Sequence, residues 1–213
     1  MYSRKVDGKT LIFGHEGILY RESFVMYDRG TESLWVHTTG ECVKGKLKGK
    51  QLTFIQSVVT QWSDWKTRHP TTTVLEGKKA RGFMGTYTLK KDKTKFGISV
   101  GEGEESNLYP FTELAKHPVV HDKLGDRNIV VFFNSTGGFA TAWENEDKHQ
   151  FRWDPTQKAF VDQSDQRWDM TMGLRIGDDE SPTMTPVPAT AWLIHRWKGF
   201  YPKSRIYKSE TKQ

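Results

Sequence analysis

Apolar and polar positions alternate in short runs along most of the chain, at the two-residue period of strands buried on one face. Tyr2 to Val6 and Lys9 to Phe13 flank Asp7-Gly8, a pair suited to the type I′ turn of a tight hairpin. Ile18 to Asp28 and Ser33 to Thr38 flank Arg29-Gly30-Thr31-Glu32 and read as a second hairpin. Gly85 to Leu89 and Phe96 to Val100 flank a lysine-rich turn and read as a third. Ile129 to Phe133, Phe139 to Trp143, Gln150 to Trp153, Ala159 to Asp162 and Arg167 to Thr171 follow, each bounded by turn residues. Three short helices are expected: Thr60 to His69, stopping before Pro70; Pro110 to His117, stopping before Pro118; and Ala191 to Phe200, stopping near Pro202. The expected class is mainly β, antiparallel, with a few short helices.

An internal repeat organises these elements. Trp65-Lys66, Pro70 and Val74 recur as Trp197-Lys198, Pro202 and Ile206, 132 positions on. Trp35 and Gly40 recur as Trp168 and Gly173 at 133, and Leu52-Thr53 as Met184-Thr185 at 132. Tyr27-Asp28 matches Val161-Asp162, and Tyr2 aligns with about Trp143. The reading is one domain over 1–213 made of two pseudo-symmetric repeats of antiparallel hairpins, each with a short Trp-bearing helix. Repeat one spans 1–75, a connecting hairpin 76–108, repeat two 109–207 and a tail 208–213. Repeat one lacks a counterpart of 109 to about 142. That predicts either a start upstream of Met1 or a strand edge left for a partner, such as a second copy, to cover.

Composition refines this picture at a few points. Only 35 % of residues are hydrophobic, but 8 Trp, 12 Phe and 7 Tyr supply a core from few side chains. No apolar run approaches the roughly 18 residues of a membrane-spanning helix. Cys42 is the only cysteine, so no intrachain disulfide forms. The polar Met1 end lacks a signal-peptide core, which reads as cytoplasmic for the chain as it stands and as exported if a signal lies upstream. The net charge of +6 gathers partly at Lys44, Lys46, Lys48 and Lys50 and at Lys90, Lys91, Lys93 and Lys95. Lysine-protected strand edges and loops account for that modest excess, and nucleic acid is not the expected partner.

Candidate chemistry concentrates in two places. The first is the glycine-flanked His15-Glu16 turn together with Asp28 and the His37–Glu41 strand. A ligand site of His15, Glu16, Asp28, His37 and Glu41 is expected there, with His15, His37 and Glu41 as ligands of a divalent transition metal. On an extended strand His37 and Glu41 would be about 13 Å apart, so one shared ion requires Gly40 to bend the chain. The second is Gly97-Ile98-Ser99-Val100-Gly101, a Gly-x-Ser-x-Gly pattern with Asp162 and His195 downstream as possible triad partners. A nucleophile elbow needs a helix straight after the serine, whereas Gly101-Glu102-Gly103-Glu104-Glu105 follows here. The tryptophans of the short helices are read as core anchors, and His69 as a helix cap before proline.

Gly14-His15-Glu16-Gly17, Leu19-Tyr20, Val25-Met26-Tyr27-Asp28, Ser33-Leu34-Trp35, Thr39-Gly40-Glu41, Trp62 to Trp65 with His69-Pro70, Tyr109-Pro110, Val119 to Asp122, Phe200-Tyr201-Pro202 and Ile206-Tyr207 together resemble domain-of-unknown-function family 3179 of bacteria and archaea. The resemblance covers nearly the whole chain and implies no established activity. It implies exported or lipid-anchored relatives that typically carry a Cys-Pro motif just ahead of the point matching this chain's first residue, a motif the present sequence does not contain. Asn134-Ser135-Thr136 stands at the corresponding place of the second repeat, which argues against cysteine-based metal or redox chemistry. The expected function is small-ligand or metal binding. The alternatives are a serine hydrolase using Ser99 and a structural or interaction module with an exposed sheet edge.

Overall fold

The computed structural model describes residues 1–74, 93–177 and 184–209. In chain order the strands of the first half are β1 (Lys5–Val6), β2 (Lys9–Thr10), β3 (Phe13–Tyr20), β4 (Ser23–Asp28), β5 (Leu34–Val36) and β6 (Cys42–Lys44), followed by α1 (Trp62–Arg68). Then come β7 (Phe96–Val100), β8 (Asn107–Pro110), α2 (Phe111–Leu114), β9 (Val119–Leu124), β10 (Arg127–Asn134) and β11 (Phe139–Glu144). The chain closes with β12 (Arg152–Asp154), β13 (Ala159–Val161), β14 (Arg167–Asp169), β15 (Leu174–Arg175), β16 (Ala189–Leu193) and α3 (Ile194–Phe200). All strand pairs are antiparallel: a β1-β2 hairpin, meanders β3-β4-β5-β6 and β12-β13-β14-β15, and three-stranded sheets β11-β10-β9 and β16-β7-β8. The protein is thus mainly β with short helices. The Gly85 to Leu89 arm of the third expected hairpin lies outside the described residues.

Local chemistry explains most boundaries. Asp7 and Gly8 both take positive φ (48° and 76°), which closes β1 on β2 in a type I′ turn. Ile18 to Asp28, expected as one strand, is divided between β3 and β4. Arg21 and Glu22 adopt φ of 47° and 65° there, a left-handed turn made without glycine or asparagine and therefore silent in the sequence. The helix expected over Ala191 to Phe200 starts only at Ile194, because Ala191 and Trp192 pair with Ile98 and Gly97 as part of β16.

β10 lies at the centre of the core. Ile129, Val131 and Phe133 pack into one cluster with Ile98, Val100, Leu114 and Val187, while Val130 and Phe132 pack on the other side with Trp143, Phe160 and Trp168. A strand covered on both faces needs the unbroken apolar run that this segment has. Each of these side chains contributes roughly 1.5–3 kcal/mol by leaving water. A third cluster (Val6, Leu11, Trp35, Cys42, Leu52) holds the first meander, and a fourth joins Val36 and Leu108 to Trp192, Trp197 and Phe200.

Bonds of the same kind occur at several of the positions that the sequence pattern pairs. Leu52 N–H donates to Gly40 C=O and Met184 N–H to Gly173 C=O; Ser3 N–H donates to Thr53 C=O and Glu144 N–H to Thr185 C=O. Asp28 accepts from the Trp35 indole at 3.1 Å and Asp162 from the Trp168 indole at 3.0 Å. The Trp65 indole donates to Thr72 Oγ1 and the Trp197 indole to Ser204 Oγ. The residues closing α1 and α3, His69 and Tyr201, share one unusual conformation, φ −128° ψ 71° and φ −127° ψ 73°.

Candidate functional site

His15 lies on β3 and His37 just beyond β5; both are exposed, and β4 runs between their strands. Phe24 of β4 contacts both rings, its centroid 4.5 Å from that of His15 and 5.6 Å from that of His37. His15 and Glu16 do not occupy a turn as expected. They are consecutive residues of β3 beside a register shift between His15 and Leu19, and consecutive strand residues project to opposite faces. Among the described residues no three His, Cys, Asp or Glu side chains gather as a metal-ligand group. His15, His37 and Glu41 are therefore not brought together as a ligand set.

Asp28, fully buried, serves its own turn. Its Oδ1 accepts the N–H groups of Gly30 and Thr31, and its Oδ2 accepts the Thr31 hydroxyl and the Trp35 indole N–H. Burial alone would raise its pKa, but these bonds outweigh it and hold the carboxyl below the usual aspartate value. Asp162 does the same with Ser164, Gln166 and Trp168. The four acceptor sites of Asp28 are thus all used within its own turn.

The expected triad is not assembled. Ser99 is an interior residue of β7, paired with Leu108 on one side and Thr190 on the other, and its hydroxyl donates to the Thr190 carbonyl. No helix begins at Ser99, so the sharp elbow that exposes a nucleophile is missing. Asp162 is bonded within its turn, and His195 is exposed on α3.

Glu41 has a different setting from the other expected residues. β5 ends at Val36, and the Gly40 N–H returns to the Val36 carbonyl, so Trp35 to Glu41 is bent rather than extended. Gly40 has φ +72°, and a Cβ there would stand 2.8 Å from the Tyr2 ring, so glycine is required on both counts. The bend delivers Thr38, Thr39 and Glu41 to one wall of a cavity of about 200 Å³. Ser99, Glu102, Ser106 and Thr190 of the β16-β7-β8 region form a second wall, and Trp192, Trp197 and Tyr201 close it at the end of α3. Tyr2, whose hydroxyl donates to the Thr38 carbonyl at 2.8 Å, and Phe54 complete the lining.

Glu41 and Glu102 are the charged residues of this lining. Neither carboxylate forms a hydrogen bond or an ion pair with the described residues. The Tyr201 hydroxyl is pushed up to about 12, first by burial and then by the charges of Glu41, Glu104 and Glu102. Tyr2 is raised by burial, then by Tyr201 and Glu102. Tyr2, Glu102, Thr190 and Tyr201 did not emerge from the sequence. Their meeting depends on long-range packing, and the one local clue was the glycine immediately before Glu41.

A smaller apolar hollow of about 160 Å³ lies beside Met1, Val58, Ile98 and Phe139. A more open groove of about 510 Å³ runs along Val58, Val59, Trp62, Trp65, Thr171 and Met172. Trp62 is 52 % exposed here, against the expectation that it would anchor its helix in the core, whereas Trp197 is 1 % exposed and does so.

No curated protein and no solved structure matches this chain. One family model does, over residues 1–204, described as protein of unknown function (DUF3179). That match spans both meanders, the cleft and nearly the whole sequence, and the chain belongs to this family.

Proposed function

We propose that the chain is a small-ligand-binding β-protein and that its site is the cleft between the first meander, the β16-β7-β8 sheet and the end of α3. The observation that carries the proposal is the cavity itself. Two unpartnered carboxylates, several hydroxyls and a set of aromatic rings from distant parts of the chain converge on about 200 Å³. Apolar walls with a few placed polar groups characterise ligand sites, and this volume is below that of a drug-sized pocket, so the ligand is small. The test is a fragment screen read by NMR or tryptophan fluorescence, on wild type and on a Thr190→Phe variant with the cleft filled. Saturable binders that are lost in a variant with an unchanged melting temperature support the site. Binders unaffected by Thr190→Phe, or mapping to His15 and His37, refute it.

A second reading has its own observation. β3 is an eight-residue edge strand with Ile18, Leu19 and Tyr20 49 %, 69 % and 38 % exposed. An edge with apolar side chains is a template for pairing with another chain, here a second copy. Leu19→Lys should shift light scattering from dimer to monomer; a wild type that is monomeric at high micromolar concentration removes this reading.

We also infer that the halves descend from one duplicated unit. The paired bonds of Gly40 and Gly173, Asp28 and Asp162, and Trp65 and Trp197 support it. Failure of residues 25–69 to superimpose on 159–201 in an experimental structure would remove the inference.

A further inference from the structure

We propose that the ligand of the cleft is a small organic cation, a protonated amine or a quaternary ammonium group; this rests on the cleft being a ligand site. Three observations on the lining support it. The first is sign: Glu41 and Glu102 are charged, and among the described residues no lysine, arginine or histidine lines the cavity. This holds in a chain with a net charge of +6, so the local field runs against the field of the whole molecule.

The second observation is the direction of the field at the aromatic hydroxyls. Tyr201 and Tyr2 both resist ionisation, and after burial carboxylates contribute at each: Glu41, Glu104 and Glu102 at the first and Glu102 at the second. Arg21 opposes this at Tyr201 but is the smallest of the contributions there. Its guanidinium lies over the Tyr20 ring and donates to the Phe200 carbonyl. An anion entering the cleft would meet unpartnered carboxylates, whereas a cation would neutralise them.

The third observation is the character of the walls. Tyr2, Tyr201, Trp192 and Phe54 present aromatic surface to the cavity. Ring faces carry the negative part of the aromatic quadrupole and attract cations most strongly where water is excluded. A cavity bordered by both carboxylates and aromatic residues suits a large, weakly hydrated cation. A bare metal ion needs several oxygen, nitrogen or sulfur ligands at short range, and no three-residue His, Cys, Asp or Glu group exists among the described residues.

The experiment uses choline and its neutral isostere 3,3-dimethylbutan-1-ol, with glucose as a neutral polyol. Each is titrated against the whole protein by tryptophan fluorescence and calorimetry, in wild type, Glu41→Gln, Glu102→Gln and the blocked Thr190→Phe variant. Melting curves verify that each variant is folded. Choline should bind wild type at least about tenfold more tightly than the isostere. Each Glu→Gln change should weaken choline about five- to tenfold and leave the isostere unchanged. Rising salt should weaken choline alone. Equal binding of choline and isostere, or binding of glucose without choline, overturns the cationic ligand while the cleft stands. Choline binding undiminished in Thr190→Phe overturns both, because the cation then binds elsewhere.

Discussion

Replacing Asp28 by alanine isolates what one buried carboxylate does for the first meander. The side chain accepts four hydrogen bonds at 2.7 to 3.2 Å, from Gly30 N–H, Thr31 N–H, Thr31 Oγ1 and the Trp35 indole. Asp28 and Trp35 are both fully buried, so the indole N–H has no water to turn to in the variant. Hydrogen bonds to a charged acceptor contribute about 1.5–3 kcal/mol each, and a stranded buried donor costs about 1–3 kcal/mol. The four bonds share one acceptor and are not additive, so a total of about 3–5 kcal/mol is expected. For a chain of this length that lowers Tm by about 8–15 °C. Asp28→Asn keeps an acceptor oxygen and should lose less than half as much. The pH dependence has a defined sign. The folded-state pKa of Asp28 is held below its ordinary value, so its contribution is complete above about pH 4 and fades as pH falls through the folded value. The gap between wild type and Asp28→Ala should therefore narrow in strong acid. Thermal and urea melts at pH 7 and pH 2.5 are the assay. A loss under about 1 kcal/mol at pH 7, or a wild-type-to-variant gap that is as large at pH 2.5 as at pH 7, refutes the argument.

Three further outcomes follow from other positions. Gly173→Ala places a Cβ 2.6 Å from the Trp143 ring at φ +65° and should cost about 2–4 kcal/mol by urea melt; Gly40→Ala, 2.8 Å from Tyr2, should cost somewhat less. His121 accepts the Phe151 N–H on Nε2 and its pKa is lowered chiefly by burial. Its contribution is therefore complete above about pH 6.5 and lost as pH falls through the folded value, and His121→Gln should flatten the Tm-versus-pH curve there. Ser204→Ala removes the acceptor of the buried Trp197 indole and should cost about 1–3 kcal/mol, visible in thermal melts.

The parts of this fold legible in the sequence are those that short stretches decide. Asp7-Gly8 marked its hairpin, the run Ile129 to Phe133 marked a central strand, and the prolines after Trp65 and Trp197 marked where helices stop. Arg21-Glu22 was unreadable because these two exposed residues take left-handed conformations without turn propensity, while their side chains reach the distant Phe200 carbonyl and Arg196. Two of the residues singled out in the sequence, Glu41 and Ser99, line the candidate site. His15 and His37 carry metal-ligand chemistry by type, but β4 and the Phe24 ring intervene, and a periodicity argument along one strand cannot show what a neighbouring strand inserts.

The geometry of the cleft gives a reason why one site needs the whole chain. Thr38, Thr39 and Glu41 come from the turn after β5, while Trp197 and Tyr201 come from the far end of α3. The open groove repeats this plan with the halves exchanged: Thr171 and Met172 follow β14, and Trp65 belongs to α1. At matched positions the two differ in polarity, with Thr190 against Val58 and Thr39 against Met172. If the halves arose by duplication, each cavity joins the turn of one copy to the helix of the other, so neither copy alone could form either. Leu174 takes the position that matches Glu41 and is not among the described residues lining the groove, which include no carboxylate. Thr39→Met, which gives the cleft the side chain found at the matched place of the groove, should abolish binding of a polar or charged ligand by fluorescence titration if wall polarity selects the ligand, and should leave it unchanged if backbone shape does.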